Sequence, residues 1–122
     1  MIIWISKKMS YEIIGGNKME RYIAEKCINW CVAKFPLNRV KIKLRFADIK
    51  SAHGWVEKLD NREFEITISK NYEAISLMTE TIIHELVHVR QWITKKWDDD
   101  GENEADEVSR DLSKMLWGAN LI

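Results

Sequence analysis

Residues 71–96 read NYEAISLMTETIIHELVHVRQWITKK, with neither glycine nor proline in the stretch. Ile75, Met78, Ile82, Leu86, Val89 and Ile93 recur at spacings of three or four, which is the period of one helical face. A helix here sets His84 and His88 about 6 Å apart along its axis and little more than one full turn apart, so both imidazoles leave the same face. Glu85 stands beside them. H-E-x-x-H is the spacing by which one helical turn offers two ring nitrogens to a single Zn²⁺, with a carboxylate at hand as a base. The bland alternative is a pair of partly buried core histidines flanked by a solvated glutamate, and it leaves both imidazoles in need of polar partners.

A catalytic zinc site takes three protein ligands and keeps a fourth position open for water. No histidine follows His88, so a carboxylate further along is the economical third ligand. Residues 95–101 break the helical pattern. A last helix is expected over about residues 102–117, burying Ala105, Val108, Leu112 and Met115 or Leu116. Glu104, in the first turns of that helix and sixteen residues after His88, is the candidate ligand, since the chain has room to reverse and lay the helix across the metal. Glu102, Asp106 and Glu107 stay open; Glu107 shares a face with Glu104, and Glu102 with Asp106. Asp99 followed by Glu102 resembles a capping box, and carboxylates at a helix start also suit its dipole. The segment is no calcium loop, because counting back from Gly101 puts Lys96 where an EF-hand needs aspartate.

Ahead of the metal helix, residues 17–34 read as an amphipathic helix closed by Phe35-Pro36, because proline disfavours helical backbone in the residue before it. Residues 39–46 alternate strictly, with Val40, Ile42, Leu44 and Phe46 facing one way and Arg39, Lys41, Lys43 and Arg45 the other, as in a half-buried strand. Residues 54–59, an Asp60-Asn61 turn and residues 62–69 then form a hairpin. Its apolar face carries Phe64, Ile66 and Ile68. The basic strand face suggests nucleic acid, but Glu63 and Glu65 on the matching face of the later strand offer partners across the sheet. Nucleic acid is therefore possible as a partner and not favoured.

With 122 residues and 46% hydrophobic content, the chain fits one compact domain, residues 1–122, with a modest core. The start, with Lys7 and Lys8 behind a short apolar stretch, does not suit a signal peptide, and no run approaches a membrane span. A soluble, cytoplasmic protein is the expectation. Cys27 and Cys31 fall on one stripe with Ile23 and Trp30 and are expected to pack as small apolar residues. The formal charge is zero, but residues 98–107 hold seven acidic groups and no basic one, leaving 19 basic against 12 acidic elsewhere, a balance of +7. An acidic segment near two histidines suits a cation site.

Over about residues 38–117 the chain resembles the small gluzincin-like zinc metallopeptidases, including the minimal SprT-like and ImmA/IrrE-like proteins. The likeness rests on the strands, the hairpin before the metal helix, H-E-L-V-H followed by Arg90-Gln91, and Asn103-Glu104-Ala105-Asp106. The thermolysin-like form continues with serine and aspartate where this chain has Asp106-Glu107-Val108. SprT proteins carry a third histidine and often a zinc ribbon, both missing here. The resemblance implies an α+β minimal zincin fold: a small, mostly antiparallel sheet on an N-terminal helix and the HExxH helix, then a C-terminal third-ligand helix. It also implies a zinc metallopeptidase with His84, His88 and Glu104 on the metal, Glu85 as general base, and a protein or peptide substrate added as a strand beside an edge such as residues 55–58. His53 and Tyr72 are the candidates for an oxyanion helper. A second expectation, of a different class, is a non-proteolytic metal-binding regulatory or partner-binding module on the same fold.

Overall fold

The computed structural model describes residues 2–6, 9–35, 37, 39–97 and 99–120, with side chains from residue 9 onward. Lys7, Lys8, Pro36 and Asp98 lie outside the described residues. Five strands and three helices follow the order β1 (Ile2–Ser6), β2 (Met9–Ile14), α1 (Lys18–Lys34), β3 (Val40–Ala47), β4 (Gly54–Asp60), β5 (Glu63–Ser69), α2 (Ile75–Thr94) and α3 (Glu102–Gly118). The protein is α+β.

The alternation in β3 does what its pattern dictates. Val40, Ile42, Leu44 and Phe46 are buried and share a face with Met9, Tyr11 and Ile13 of β2 and Phe64, Ile66 and Ile68 of β5. Against this face pack α1, through Ile23, Ala24, Cys27, Ile28 and Cys31, and α2, through Met78, Ile82, Ile83, Leu86 and Val89. Cys27 and Cys31 are free thiols in that core, and burial pushes the Cys27 thiol up to about 12. Phe64 is fully buried on the strand between β3 and β4. Phe64→Ala is expected to cost about 3–5 kcal/mol, read as a lower denaturation midpoint with an unchanged denaturant slope.

The sheet is mixed, in the order β1-β2-β3-β5-β4. This corrects the mostly antiparallel sheet expected above: β2 pairs with β3 and β3 with β5 in parallel, while β1 with β2 and β4 with β5 are antiparallel. The reason is connectivity. Helix α1 is a crossover between β2 and β3, which makes those two strands parallel. Residues 48–53 then carry the chain past the neighbouring position to the edge, and β5 returns between β3 and β4. β1 and β2 escaped the sequence reading, although Met9, Tyr11 and Ile13 alternate in the same way as β3. The hairpin turn falls at Asn61 and Arg62, one residue later than expected, with a register irregularity between Lys58 and Asp60.

Helix ends are set locally. Asn17 accepts from Glu20 N–H at 2.8 Å and Glu20 accepts from Asn17 N–H at 2.7 Å, a reciprocal cap that starts α1. The helix stops at Phe35, which is extended. Helix α2 starts four residues later than the period suggested, at Ile75, and ends at left-handed Lys95, whose N–H reaches Gln91 O at 2.7 Å. The capping box expected of Asp99 and Glu102 does not form. Asp99 and Gly101 both take positive φ in the reversal after α2, Gly101 becomes the cap of α3, and Asp100 Oδ1 accepts from Glu102 N–H at 2.9 Å. No helix among the described residues is long and apolar enough to cross a membrane.

Candidate metal centre

The apolar stripe of α2 faces the core, so the helix presents His84 and His88 at its margin, half-buried, with ring centroids 4.8 Å apart. Glu85 is buried beside them. Helix α3 packs on α2 and brings Glu102 to the pair: its two carboxylate oxygens lie 3.1 Å from His84 Nε2 and 2.9 Å from His88 Nε2. The two Nε2 atoms are 3.1 Å from each other. Asp106, one turn beyond Glu102, reaches His84 Nδ1 at 3.1 Å.

The outer nitrogens decide the chemistry of the inner ones. An ionised carboxylate only accepts, so Asp106 calls for a proton on His84 Nδ1. Gln91 donates from Nε2 to Gly101 O at 3.0 Å and to Glu104 Oε1 at 2.8 Å, which orients its amide oxygen toward His88 Nδ1 at 2.8 Å. These contacts suit a proton on Nδ1 of each ring, and both Nε2 atoms turn toward each other and toward Glu102. Two ring nitrogens and the two oxygens of one carboxylate thus converge. That arrangement suits a cation, and the Nε2–Nε2 distance of 3.1 Å approaches the edge of about 3.3 Å that a tetrahedron with zinc bonds of about 2.0–2.1 Å requires. His84, Glu85 and His88, and likewise His84, Glu102 and Asp106, are groups whose ligand atoms lie within 4.8 Å of one another. These residues fit a divalent metal.

Glu104, the expected third ligand, lies outside this constellation. Its Oε1 accepts from Gln91 at 2.8 Å and pairs with Arg90 Nη2 at 3.2 Å. The Gln91 hydrogen bond above all, with help from Arg90 and against some burial, holds its carboxyl below the usual range. Helix phase is the reason. Two residues turn a helix through about 200°, so Glu102 and Glu104 reach different parts of α2, Glu102 the two histidines and Glu104 the Arg90-Gln91 pair. With Ala105, Ser109 and Leu112 buried, the side reaching the histidines is the one Glu102 shares with Asp106.

Burial raises the Glu85 carboxyl above its ordinary value; the neighbouring histidines oppose this and Glu102 adds to it. Glu85 and His84 open onto a cavity of about 470 Å³ whose rim includes His53, Gly54, Glu80, Asp106 and Arg110. His53, one of the two residues named as candidate oxyanion helpers, lies on that rim. Tyr72 does not: its hydroxyl donates to Glu20 Oε2 at 2.9 Å and burial raises its pKa, so it ties the α2 entry to α1. Gln91, which contacts His88, and Glu80 and Arg110, which line the cavity, had no role in the sequence reading. Only Gln91 carried a signal, its place three residues after His88 on the same helical face.

Gln91 is buried, and Gly101, with φ +79°, leaves room for it, since an added Cβ would run into Gln91 Oε1. Gln91→Leu keeps the size and removes the acceptor from His88. It is expected to weaken metal binding by about 10–100-fold, the usual cost of losing an outer partner of a liganding histidine. Competition with a chromophoric chelator measures this, and an unchanged affinity would show that His88 orients itself.

Comparison of the chain with protein-family models, with curated proteins and with solved structures finds no match.

Proposed function

We propose that the protein is a zinc-dependent peptidase of minimal zincin type, in which His84, His88 and Glu102 hold the metal and Glu85 is the general base. The observation that carries this is the pair of constrained imidazoles, each with its outer nitrogen engaged, turned onto a shared carboxylate beside a buried glutamate. The resemblance named above supports it, with Glu102 and Asp106 in place of Glu104 as the carboxylates of the last helix.

Zn²⁺, when bound, supplies Lewis acidity that polarises a carbonyl and makes water a better nucleophile at neutral pH. The chain's residues do the rest. Glu85 takes the proton of the attacking water as its oxygen bonds to the carbonyl carbon, and returns it to the amine as the C–N bond breaks. A base whose pKa is raised by burial is better able to return that proton. Asp106 and Gln91 hold the imidazoles in register throughout. A purely structural metal site more often closes its fourth position with another side chain and needs no base beside its ligands, which is why the hydrolase is preferred over the regulatory module.

The substrate is a peptide laid along β4. That strand is at the sheet edge, and Ser69 N–H donates to His53 O at 2.9 Å. Antiparallel alternation from that bond turns the main-chain groups of Gly54, Val56 and Lys58 to the free side, the template for an added strand. The test is to incubate the zinc-loaded protein with a denatured protein mixture and count new N-termini by mass spectrometry. New termini that disappear with a chelator and return with Zn²⁺ are expected; a count equal to the chelated control would sink the proposal.

Strong nucleic-acid binding is not expected. Lys41 and Lys43 lie opposite Glu63 and Glu65, and Arg45 Nη2 is 3.5 Å from Glu65 Oε1, so the basic face is compensated. Affinity for single-stranded and duplex DNA at physiological salt should be weak and little changed in a Lys41→Ala, Lys43→Ala, Arg45→Ala triple variant. Submicromolar binding lost in that variant would promote a nucleic-acid role.

A further inference from the structure

The two histidines line separate cavities, His84 one and His88 the other, with unlike surroundings. At one, Gly54 of β4 packs near Thr81 of α2, on the rim of the larger cavity. At the other, the Lys58 ammonium lies over the Trp92 ring, 5.3 Å from its centroid. From Thr81 to Trp92 the helix rises about 16 Å, the length of about five extended residues, with His84 and His88 between.

The surroundings of His88 are aromatic and acidic. Trp92 and Trp97 remain 46% and 45% exposed, although burying such rings is strongly favourable. Their centroids are 6.4 Å apart and their planes open at 49°. Together with His88, Gln91 and Asp100 they line a cavity of about 100 Å³. That is smaller than the cavity of about 150 Å³ that takes a benzene ring, so it suits the narrow end of a side chain better than a ring. Indole faces attract ammonium and guanidinium groups. Lys58 already shows the Trp92 face receiving one, and the Asp100 carboxylate supplies the opposite charge.

We infer that Trp92, Trp97 and Asp100 form a subsite for a lysine or arginine side chain of the substrate peptide, and that Lys58 is its resident competitor. This rests on the peptide-cleft reading above and names the class of residue presented next to the metal.

The test uses the full chain, zinc-loaded and carrying Glu85→Gln so that peptides persist, with binding followed by tryptophan fluorescence and calorimetry. The probes are pentapeptides in which lysine, norleucine or glutamate occupies each position in turn. At one position lysine is expected to bind at least tenfold tighter than norleucine, with glutamate weakest. The ratio should fall toward one in Trp92→Leu and in Asp100→Asn, both surface changes checked for intact fold by circular dichroism. Lys58→Ala should tighten the lysine peptide several-fold. A ratio near one at every position, a preference that survives both substitutions, or no gain in Lys58→Ala overturns the subsite. Its failure is separable from that of the peptidase reading: lysine-selective binding by a protein that never cuts keeps the subsite and loses the peptidase, and cleavage indifferent to basic residues does the reverse.

Discussion

Glu85→Gln should bind zinc as tightly as the wild type and hydrolyse any shared substrate about 10²–10⁴-fold more slowly, the range that loss of a general base commonly costs. Glutamine keeps the volume and a hydrogen-bonding end in a buried position, so packing is preserved while the proton acceptor is lost. Burial already disfavours the charged carboxylate, and the neutral amide therefore removes no favourable solvation. The fold should be at least as stable as before. Turnover is to be compared at matched metal content, measured by elemental analysis. If the variant retains wild-type turnover, Glu85 is not the base and the proposed chemistry fails even though metal is bound.

Zinc affinity should collapse in Glu102→Ala and survive in Glu104→Ala. Glu102 faces both Nε2 atoms, so its loss should cost more than the roughly 10–100-fold expected for an outer partner. Glu104 touches the site only through Gln91 and Arg90, and its removal is expected to change affinity by less than about tenfold on the same scale. Both residues sit on the exposed first turn of α3, so neither alanine empties the core. Competition titrations at one pH rank them directly. The reverse order would return the ligand role to Glu104 and show that α3 rotates when metal arrives.

The carboxylate assignment marks where one-dimensional reading stops. Glu102, Glu104, Asp106 and Glu107 are chemically near-equivalent acids within two turns. Their pairings at spacings of three and four are visible in the chain, yet which pairing turns inward depends on how Ala105, Ser109 and Leu112 seat against α2. Gln91 is a similar case. Nothing in its residue type shows that it closes a bridge from His88 to Gly101 across the reversal after α2.

What the chain determines by itself is local. The spacing of His84, Glu85 and His88 on an amphipathic helix, the alternation that makes β3, the hairpin, and the glutamates opposite the basic strand face all follow from side-chain periods of 3.6 and 2. What tertiary structure decided is relational. The parallel pairing of β2, β3 and β5 depends on a crossover helix and on a loop that skips a position, and strand order is not written in the pattern of any one strand. That Glu102 rather than Glu104 lies beside the histidines is likewise set by how α3 packs against α2, because only a neighbouring surface can give a helix its phase.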